Sequence, residues 1–196
     1  MKRIKQIVSF VFVLSLSACK NNQDADKAAV SAGNINEVSI IISDVLWNGE
    51  VGDSIRKRLA APVDGLAQEE PLFILNQYHE KAFEGLVNKD RNLVIVEKGP
   101  KNDFQLKRNR DCTHQNIFTI SGRSIDDLLN LIQMHSDEII KTIHETEISE
   151  NQKRTQQAGT LNEELIKSQF GISLKVPSTY NYALKNDSFL WLKKDI

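Results

Sequence analysis

Residues 93–96 read Leu-Val-Ile-Val, and this continuous apolar run predicts the centre of the fold. A run of this kind suits a strand that is covered on both faces, so we expect it in the middle of a sheet. Residues 37–45 alternate apolar and mixed positions and predict an earlier strand. Further strands are expected at about residues 72–77 and 117–121. The segment from Lys98 to Arg110 is polar and contains Gly99-Pro100, so it predicts a loop.

Helical patterns alternate with these strands. An apolar stripe of Val51, Ile55 and Leu59 predicts a helix over residues 50–60, and a short helix is expected near residues 82–87. The longest helix is predicted over about residues 124–157, with Ser124 as its cap and an apolar face that disappears after Ser149. A capping box of Thr160 and Glu163 predicts a shorter helix over residues 161–170.

The C-terminal end of the chain is rich in β pattern. Residues 172–176 alternate, and two strands flank Asn186-Asp187, which indicates a hairpin. The whole order predicts an α/β (α+β) fold, a sheet with packed helices and one long helix. Because the strand Phe189–Leu192 is apolar enough to require a neighbour, we expect the chain to be a shortened form of a longer protein.

The N-terminal residues predict a lipoprotein signal peptide over residues 1–18. Basic residues at the start precede an apolar run from Ile7 to Leu16, which is too short to cross a bilayer. Leu16-Ser17-Ala18-Cys19 then places small residues before a thiol, so we expect cleavage before Cys19 and lipid attachment to its sulfur. Residues 19–35 are predicted to be a flexible tether, and residues 36–196 a single α/β domain.

The anchor and the charge of the chain limit its location and partners. Lys20 stands where aspartate commonly retains lipoproteins at the inner membrane, so we expect the outer membrane, on its periplasmic face. From Cys19 onward the chain has 22 basic and 26 acidic residues, which disfavours nucleic acid as a partner. The expected partners are the membrane, through the lipid, and an unidentified envelope protein or component.

Several motifs resemble an uncharacterised family of Gram-negative lipoproteins that is known only as a domain of unknown function. The motifs run through most of the chain after Cys19: Trp47-Asn48-Gly49-Glu50-Val51-Gly52-Asp53-Ser54-Ile55-Arg56, Gly65-Leu66, Gln68-Glu69-Glu70-Pro71, Arg91-Asn92-Leu93, Glu147-Ile148 with Gln152 and Arg154, Phe170-Gly171-Ile172 and Phe189-Leu190-Trp191. The resemblance implies a lipid-anchored envelope protein without an assigned activity. The segment Asp111-Cys112-Thr113-His114 differs from the residues that the family usually has at this position.

The first of these motifs supplies the candidate binding residues, which are Trp47, Asn48, Gly49, Gly52, Asp53 and Arg56. Trp and Arg are favoured interface anchors, which makes a recognition surface one interpretation and a tight turn the other. A phosphate loop is disfavoured, because Asp53 stands where such a loop needs a lysine.

Two other groups of residues contain side chains of the types that enzymes use in catalysis. Cys112 and His114 would point the same way on a strand, but a nucleophile also needs an orienting group. Glu69 and Glu70 are adjacent and would face opposite sides, unlike the paired carboxylates of a glycosidase. The histidines show no metal-binding spacing, and no cofactor or catalytic residue is predicted.

The sequence therefore favours a lipid-anchored envelope protein with a binding or assembly role. The alternative is a periplasmic enzyme that acts on peptidoglycan or lipid.

Overall fold

The computed structural model describes residues 29–194, apart from the side chains of residues 82, 84 and 86. The strands are β1 (Glu37–Ile42), β2 (Ile74–Tyr78), β3 (Asn92–Lys98), β4 (Asp103–Arg108), β5 (Asn116–Gly122), β6 (Tyr180–Asn186) and β7 (Phe189–Lys194). The α-helices are α1 (Asp44–Trp47), α2 (Glu50–Leu59), α3 (Ile125–Ala158) and α4 (Glu164–Phe170), and a 3-10 turn (Glu80–Ala82) and a π-helical turn (Phe83–Val87) precede β3. The predicted signal peptide, Cys19 and residues 20–28 of the predicted tether lie outside the described residues.

The main sheet has the strand order β2-β1-β3-β5-β4. Strands β1, β2, β3 and β5 are parallel, and β4 is antiparallel to β5. The apolar run of residues 93–96 forms β3 and occupies the middle of this sheet, as predicted. The protein is therefore an α/β protein, with a separate β6–β7 hairpin at the C-terminal end.

The two faces of the sheet are covered unequally. The larger core lies under α2 and α3 and includes Val94 and Val96 of β3. On the opposite face, Leu93 packs with Val87 of the π-helical turn in a smaller cluster. Burial of each such aliphatic side chain contributes about 1.5–3 kcal/mol, so β3 gains stabilisation from both faces.

The longest predicted helix is confirmed and forms α3. The Ser124 hydroxyl accepts a hydrogen bond from the Asp127 N–H at 3.1 Å and caps its start. Gly159 ends it with a φ of 86°, which a residue with a side chain rarely adopts. No helix within residues 29–194 has both the length and the apolar character that crossing a bilayer requires.

Strand β1 is shorter than predicted, because its last residues form a helical turn. The Ser43 hydroxyl accepts a hydrogen bond from the Leu46 N–H at 3.5 Å, and α1 follows directly. A serine that caps the next residues removes them from the strand ladder.

The predicted loop from Lys98 to Arg110 is wrong, since this segment contains β4. Phe104 and Leu106 face the main core, and the other residues of β4 are polar. Two apolar residues among charges are enough for an edge strand, because only one of its faces is buried. So short an alternation is easily read as a loop.

The predicted capping box of Thr160 and Glu163 is also wrong. Helix α4 begins at Glu164, whose N–H donates to Asn162 Oδ1 at 2.8 Å. The Glu163 carboxylate instead pairs with the Lys175 ammonium at 2.6 Å and holds the returning chain. Residues 172–176 pass through this region without forming a strand, whereas the predicted hairpin is confirmed by β6 and β7.

The described part of the predicted tether, residues 29–35, is hydrogen-bonded to the domain. The Ser31 N–H donates to the Thr113 carbonyl at 3.1 Å, and the Ala32 N–H donates to the Lys89 carbonyl at 2.7 Å. Ordered contacts therefore begin before residue 36.

Gly52 allows α1 and α2 to pack against each other. A Cβ atom at Gly52 would lie 1.9 Å from the Trp47 carbonyl oxygen, a backbone atom that cannot move aside. The glycine is thus required by the close approach of two consecutive helices.

We expect Gly52→Ala to lower the free energy of unfolding by about 1–3 kcal/mol, because the methyl group forces α1 away from α2. Urea denaturation followed by circular dichroism measures this loss. Gly85→Ala is the control, since no atom lies within 4 Å of a Cβ atom at Gly85. Equal stability of the two variants would contradict the packing argument.

Candidate functional site

A buried ion pair joins the start of β3 to α3. Arg91 Nε lies 2.7 Å from Glu147 Oε1, and Arg91 Nη2 lies 3.2 Å from Glu147 Oε2. The two side chains are 1% and 3% exposed. A bidentate pair of this kind has a fixed geometry, because the planar guanidinium matches the carboxylate.

Amides complete the hydrogen bonding of this carboxylate. Asn92 Nδ2 donates to Glu147 Oε1 at 2.6 Å, and the backbone N–H of Asn36 donates to Glu147 Oε2 at 2.9 Å. Asn116 Nδ2 extends the network by donating to Asn92 Oδ1 at 3.0 Å and to Thr146 Oγ1 at 2.8 Å. Each oxygen of the buried carboxylate therefore has two donors, which offsets the cost of removing its charge from water.

Two arginines bind the backbone that enters the domain. Arg91 Nη2 donates to the Asn34 carbonyl at 2.7 Å, and Arg154 Nη2 donates to the Gly33 carbonyl at 3.1 Å. Arg154 also pairs with Glu150 at 2.8 Å. Burial acts to raise the pKa of Glu150, but the hydrogen bond and charge of Arg154, together with the charges of Arg91 and Lys153, hold that pKa below its usual range.

We call Arg91, Asn92, Glu147, Glu150 and Arg154 the polar clamp. It holds residues 33–36 against the amino end of β3 and the last third of α3. The clamp thus fixes the place at which the N-terminal segment meets the domain. Arg154 is therefore part of this clamp and not only a solvated surface charge.

A cleft lies at the carboxyl ends of β1 and β3, and we call this end of the parallel strands the carboxyl edge of the sheet. The polar clamp lies at the other end of the strands, which we call the amino edge. Its volume is about 340 Å³, and it is lined by Ser43, Val45, Leu46, Gly49, Glu50, Val51, Glu80, Glu97, Lys98 and Ile125. The chain passes from β1 to β2 on one side and from β3 towards β5 on the other. Open α/β sheets commonly bind ligands at such a reversal of strand order, outside the carboxyl ends of the strands.

The charge of this cleft, which we call the acidic cleft, limits the ligands that it can bind. Glu50, Glu80 and Glu97 line it together with a single lysine, Lys98. Carboxylates repel phosphate, so the cleft favours neutral or positively charged groups over anions. Within residues 29–194, no group of three or more His, Cys, Asp or Glu side chains is arranged to hold a metal ion.

The six predicted binding residues form a compact turn beside the acidic cleft. The Arg56 guanidinium lies 4.4 Å from the centre of the Trp47 ring and donates to the Trp47 carbonyl at 3.2 Å. Arg56 also pairs with Asp53 at 2.7 Å. The Asn48 N–H donates to the Asp44 carbonyl at 3.0 Å and helps to end α1.

Within this turn, Gly49 lines the acidic cleft, and Gly52 is buried under Trp47. The contacts give the motif a structural role, and a binding role for it stays a prediction.

Cys112 and His114 are not brought together as a catalytic pair. Cys112 is 1% exposed, and its thiol donates to the Lys89 carbonyl at 3.4 Å. His114 is exposed, with a φ of 62° that turns the chain between the two residues. Burial raises the pKa of the Cys112 thiol, and the charges of Asp111 and Asp90 raise it further. A protonated, buried thiol is a poor nucleophile.

Glu69 and Glu70 are exposed on the loop between α2 and β2. The Glu70 carbonyl accepts a hydrogen bond from the Val63 N–H at 2.9 Å, which closes this loop. Neither side chain lines the acidic cleft.

A family model described as a domain of unknown function, DUF8532, matches residues 31–156. The chain belongs to this family. No curated protein and no solved structure matches the chain.

The DUF8532 match extends from the N-terminal segment that the polar clamp holds almost to the end of α3. It includes the main sheet, the whole polar clamp and the acidic cleft. Helix α4 and the hairpin lie outside the matched range. The family thus covers the part of the chain in which both edges of the sheet are built.

Sequence reasoning missed the polar clamp, although the pattern contains a signal for it. Ile139 and Ile143 face the core from α3, and Glu147 follows at the same fourfold spacing. Asn92 and Asn116 likewise precede Val94 and Phe118 by two residues and share their inward side. Charged or amide residues that continue an apolar stripe indicate buried polar partners.

We expect Glu147→Gln to lower the free energy of unfolding by about 3–5 kcal/mol, because Arg91 is left buried without a counter-charge. Urea denaturation measures the loss. Glu163→Gln is the matched control, since it breaks an exposed pair with Lys175 and should cost less than about 1 kcal/mol. The double variant Arg91→Met/Glu147→Leu should recover part of the stability. Similar losses for Glu147→Gln and Glu163→Gln would refute the role of the clamp.

We also expect Cys112 to react with a thiol reagent at pH 8 at least about a hundredfold more slowly in the native protein than in denaturant, because the thiol is buried and protonated. Residues 19–196 carrying Cys19→Ser contain Cys112 as their single cysteine. The absorbance of the thiolate that the reagent releases therefore measures the reaction of Cys112 directly. Fast native reaction would instead indicate an accessible thiolate and reopen a catalytic role.

Proposed function

We propose that this chain is a lipid-anchored protein of the cell envelope that acts by binding an envelope protein or another envelope component. The lipid is attached to Cys19 after removal of residues 1–18. The protein is held at the outer membrane on its periplasmic face. Membrane attachment through the lipid and recognition through the folded domain are separate tasks in this proposal.

The observation that carries the proposal is the arrangement of the two edges of the sheet. The polar clamp holds the segment that leads from the anchor at the amino edge, beside the starts of β3 and β5. The acidic cleft and the Trp47–Arg56 turn lie at the carboxyl edge. Strand β3 separates the two edges by about 20 Å at the usual rise per residue. An anchor on one edge leaves the other edge free to meet a partner.

Binding is favoured over catalysis by the placement of the residues that could have reacted. Cys112 is buried as a thiol, His114 is exposed, and Glu69 and Glu70 lie on a surface loop. An enzyme acting on peptidoglycan or lipid needs a nucleophile with a base, or two carboxylates across a cleft. These four residues supply neither arrangement.

We expect Cys19→Ala to abolish incorporation of labelled palmitate and to move the protein out of the membrane fraction, because the thiol is the site of acylation. The measurement is fluorography and fractionation of a Gram-negative host that expresses the full chain. Cys112→Ala is the control and should keep the label. Retention of the label in Cys19→Ala would exclude this anchor.

The binding role is tested on the same anchored protein after extraction in mild detergent. Native electrophoresis should show an assembly larger than one chain with its detergent, and Trp47→Ala or Arg56→Glu should reduce it under conditions in which circular dichroism shows each variant to be folded. Migration of the wild-type chain alone would count against a stable partner.

A further inference from the structure

Another cavity lies at the amino edge of the sheet, beside the polar clamp. Its volume is about 480 Å³, and small-molecule sites commonly have volumes of roughly 300–1,000 Å³. It lies within the residues that the DUF8532 model matches. We call it the polar pocket, and its walls include Arg108, Thr113, His114, Asn116, Glu145 and Ser149.

The register of β4 against β5 brings Arg108 to the polar pocket. Arg108 is the cross-strand partner of Asn116, and such partners share one face of a sheet. The same face of β4 carries Phe104 and Leu106, which pack against the main core. Asn116 Nδ2 reaches α3 on this face and donates to Thr146 Oγ1 at 2.8 Å. Arg108 therefore lies on the side of the sheet that α3 covers, just beyond the apolar core.

Helix α3 forms the facing wall. Glu145 and Ser149 are one turn apart on this helix, and both line the pocket. The side chains of Arg108 and Glu145 are exposed, and neither forms an ion pair or a hydrogen bond with another residue in the range 29–194. The pocket thus has a cation on one wall and an anion on the other, and the two do not neutralise each other.

The floor of the pocket contributes a hydrogen-bond acceptor. Asn116 is only 2% exposed, and its Nδ2 donates to both Asn92 Oδ1 and Thr146 Oγ1. No donor from the described part of the chain contacts Asn116 Oδ1, although buried amide oxygens usually accept a hydrogen bond. Asn116 lines the pocket and this oxygen is not sealed from solvent, so a ligand in the pocket can donate to it.

The loop between β4 and β5 closes the polar pocket and is held by its own hydrogen bonds. The Asn109 N–H donates to the Gln115 carbonyl at 2.9 Å, and the Gln115 N–H donates to Asn109 Oδ1 at 3.2 Å. Gln115 Nε2 also donates to the Asn88 carbonyl at 2.6 Å. The loop thereby places Thr113 and His114 at the pocket. A wall that is ordered before binding reduces the entropy that a ligand must overcome.

We propose that the polar pocket binds a zwitterion with one carboxylate and one ammonium group, which is the chemistry of a free amino acid or a short peptide. The ligand carboxylate pairs with Arg108, because a planar guanidinium matches a carboxylate in two parallel hydrogen bonds. The ligand ammonium pairs with Glu145, and a ligand N–H donates to Asn116 Oδ1. This site lies at the amino edge, so the inference does not rest on the proposed anchor or on the acidic cleft.

The two opposite charges favour a zwitterion over the other classes of small ligand. Glu145 repels an anion such as phosphate, and Arg108 repels a simple cation. A neutral sugar would displace water from both charges without pairing with either, and a charge that loses water without gaining a partner is costly. A ligand with both charges compensates Arg108 and Glu145 together.

The first test measures thermal unfolding of the full chain, extracted in mild detergent, with each of the common amino acids and with alanyl-alanine at millimolar concentration. We expect at least one of these compounds to raise the melting temperature, since a ligand that binds only the folded state stabilises it. Isothermal titration calorimetry then gives its dissociation constant. No response to any of these compounds would overturn the proposal and would leave the proposed anchor and the acidic cleft untouched.

Charge variants locate the binding. Arg108→Gln and Glu145→Gln should each weaken the affinity for the best compound at least about tenfold, because each removes one charge pair. Both side chains are exposed and form no described contact, so we expect both variants to be folded, which circular dichroism checks. Lys57→Gln and Glu69→Gln are the matched controls, since they remove the same charges from exposed positions outside the pocket. Equal affinities of the pocket variants and the controls would refute the site.

Blocked forms of the best compound assign each charge to its partner. Its amide lacks the carboxylate and should bind the wild type and Arg108→Gln equally. Its N-acetyl form lacks the ammonium and should bind the wild type and Glu145→Gln equally. If the amide remained sensitive to Arg108→Gln, the assigned pairing would be wrong. Binding of N-acetylglucosamine with an affinity that neither variant changes would assign the pocket to a neutral ligand and overturn the proposal.

Discussion

The ion pair between Arg91 and Glu147 connects three parts of the chain that are distant in sequence: residues 33–36, the start of β3 and the last third of α3. Removing two charges from water costs several kcal/mol for each ion, and this cost is offset only when every polar atom has a partner. Here Asn92 and the Asn36 N–H complete the carboxylate, and backbone carbonyls accept from the guanidinium. Only one alignment of α3 with β3 satisfies all of these groups, so the pair fixes how the helix lies on the sheet.

The same alignment positions the surfaces that the proposed function uses. Because Glu147 must reach Arg91, the last turns of α3 extend past the amino edge of the sheet and carry the hairpin with them. The segment from the anchor is held at that edge as well. The acidic cleft depends on the opposite constraint, the reversal of strand order between β1 and β3, and therefore forms at the carboxyl edge. In the proposed function, attachment and recognition are thus separated by the length of the parallel strands.

Much of the fold could be predicted because its elements have strong local patterns. The continuous apolar run in β3, the long stripe of α3 with Ser124 as cap, and the hairpin around Asn186-Asp187 each need only their own residues to be recognised. The errors occurred where a distant contact decides. Phe104 and Leu106 belong to a strand because β5 offers an edge, and Glu163 does not cap a helix because Lys175 pairs with it.

By itself, the sequence determined most of the order of strands and helices, the apolar side of those elements, and the N-terminal pattern that predicts an anchor at Cys19. Alternation and helical stripes are local, so they can be read along the chain. Only the tertiary structure decided the partner of each buried polar residue and the edge of the sheet at which each surface lies. Glu147 continues an apolar stripe, yet its carboxylate is stable there only because Arg91, far away in sequence, is brought within 2.7 Å of it. No local pattern specifies such a pairing, because it depends on the strand order and on the position at which the long helix crosses the sheet.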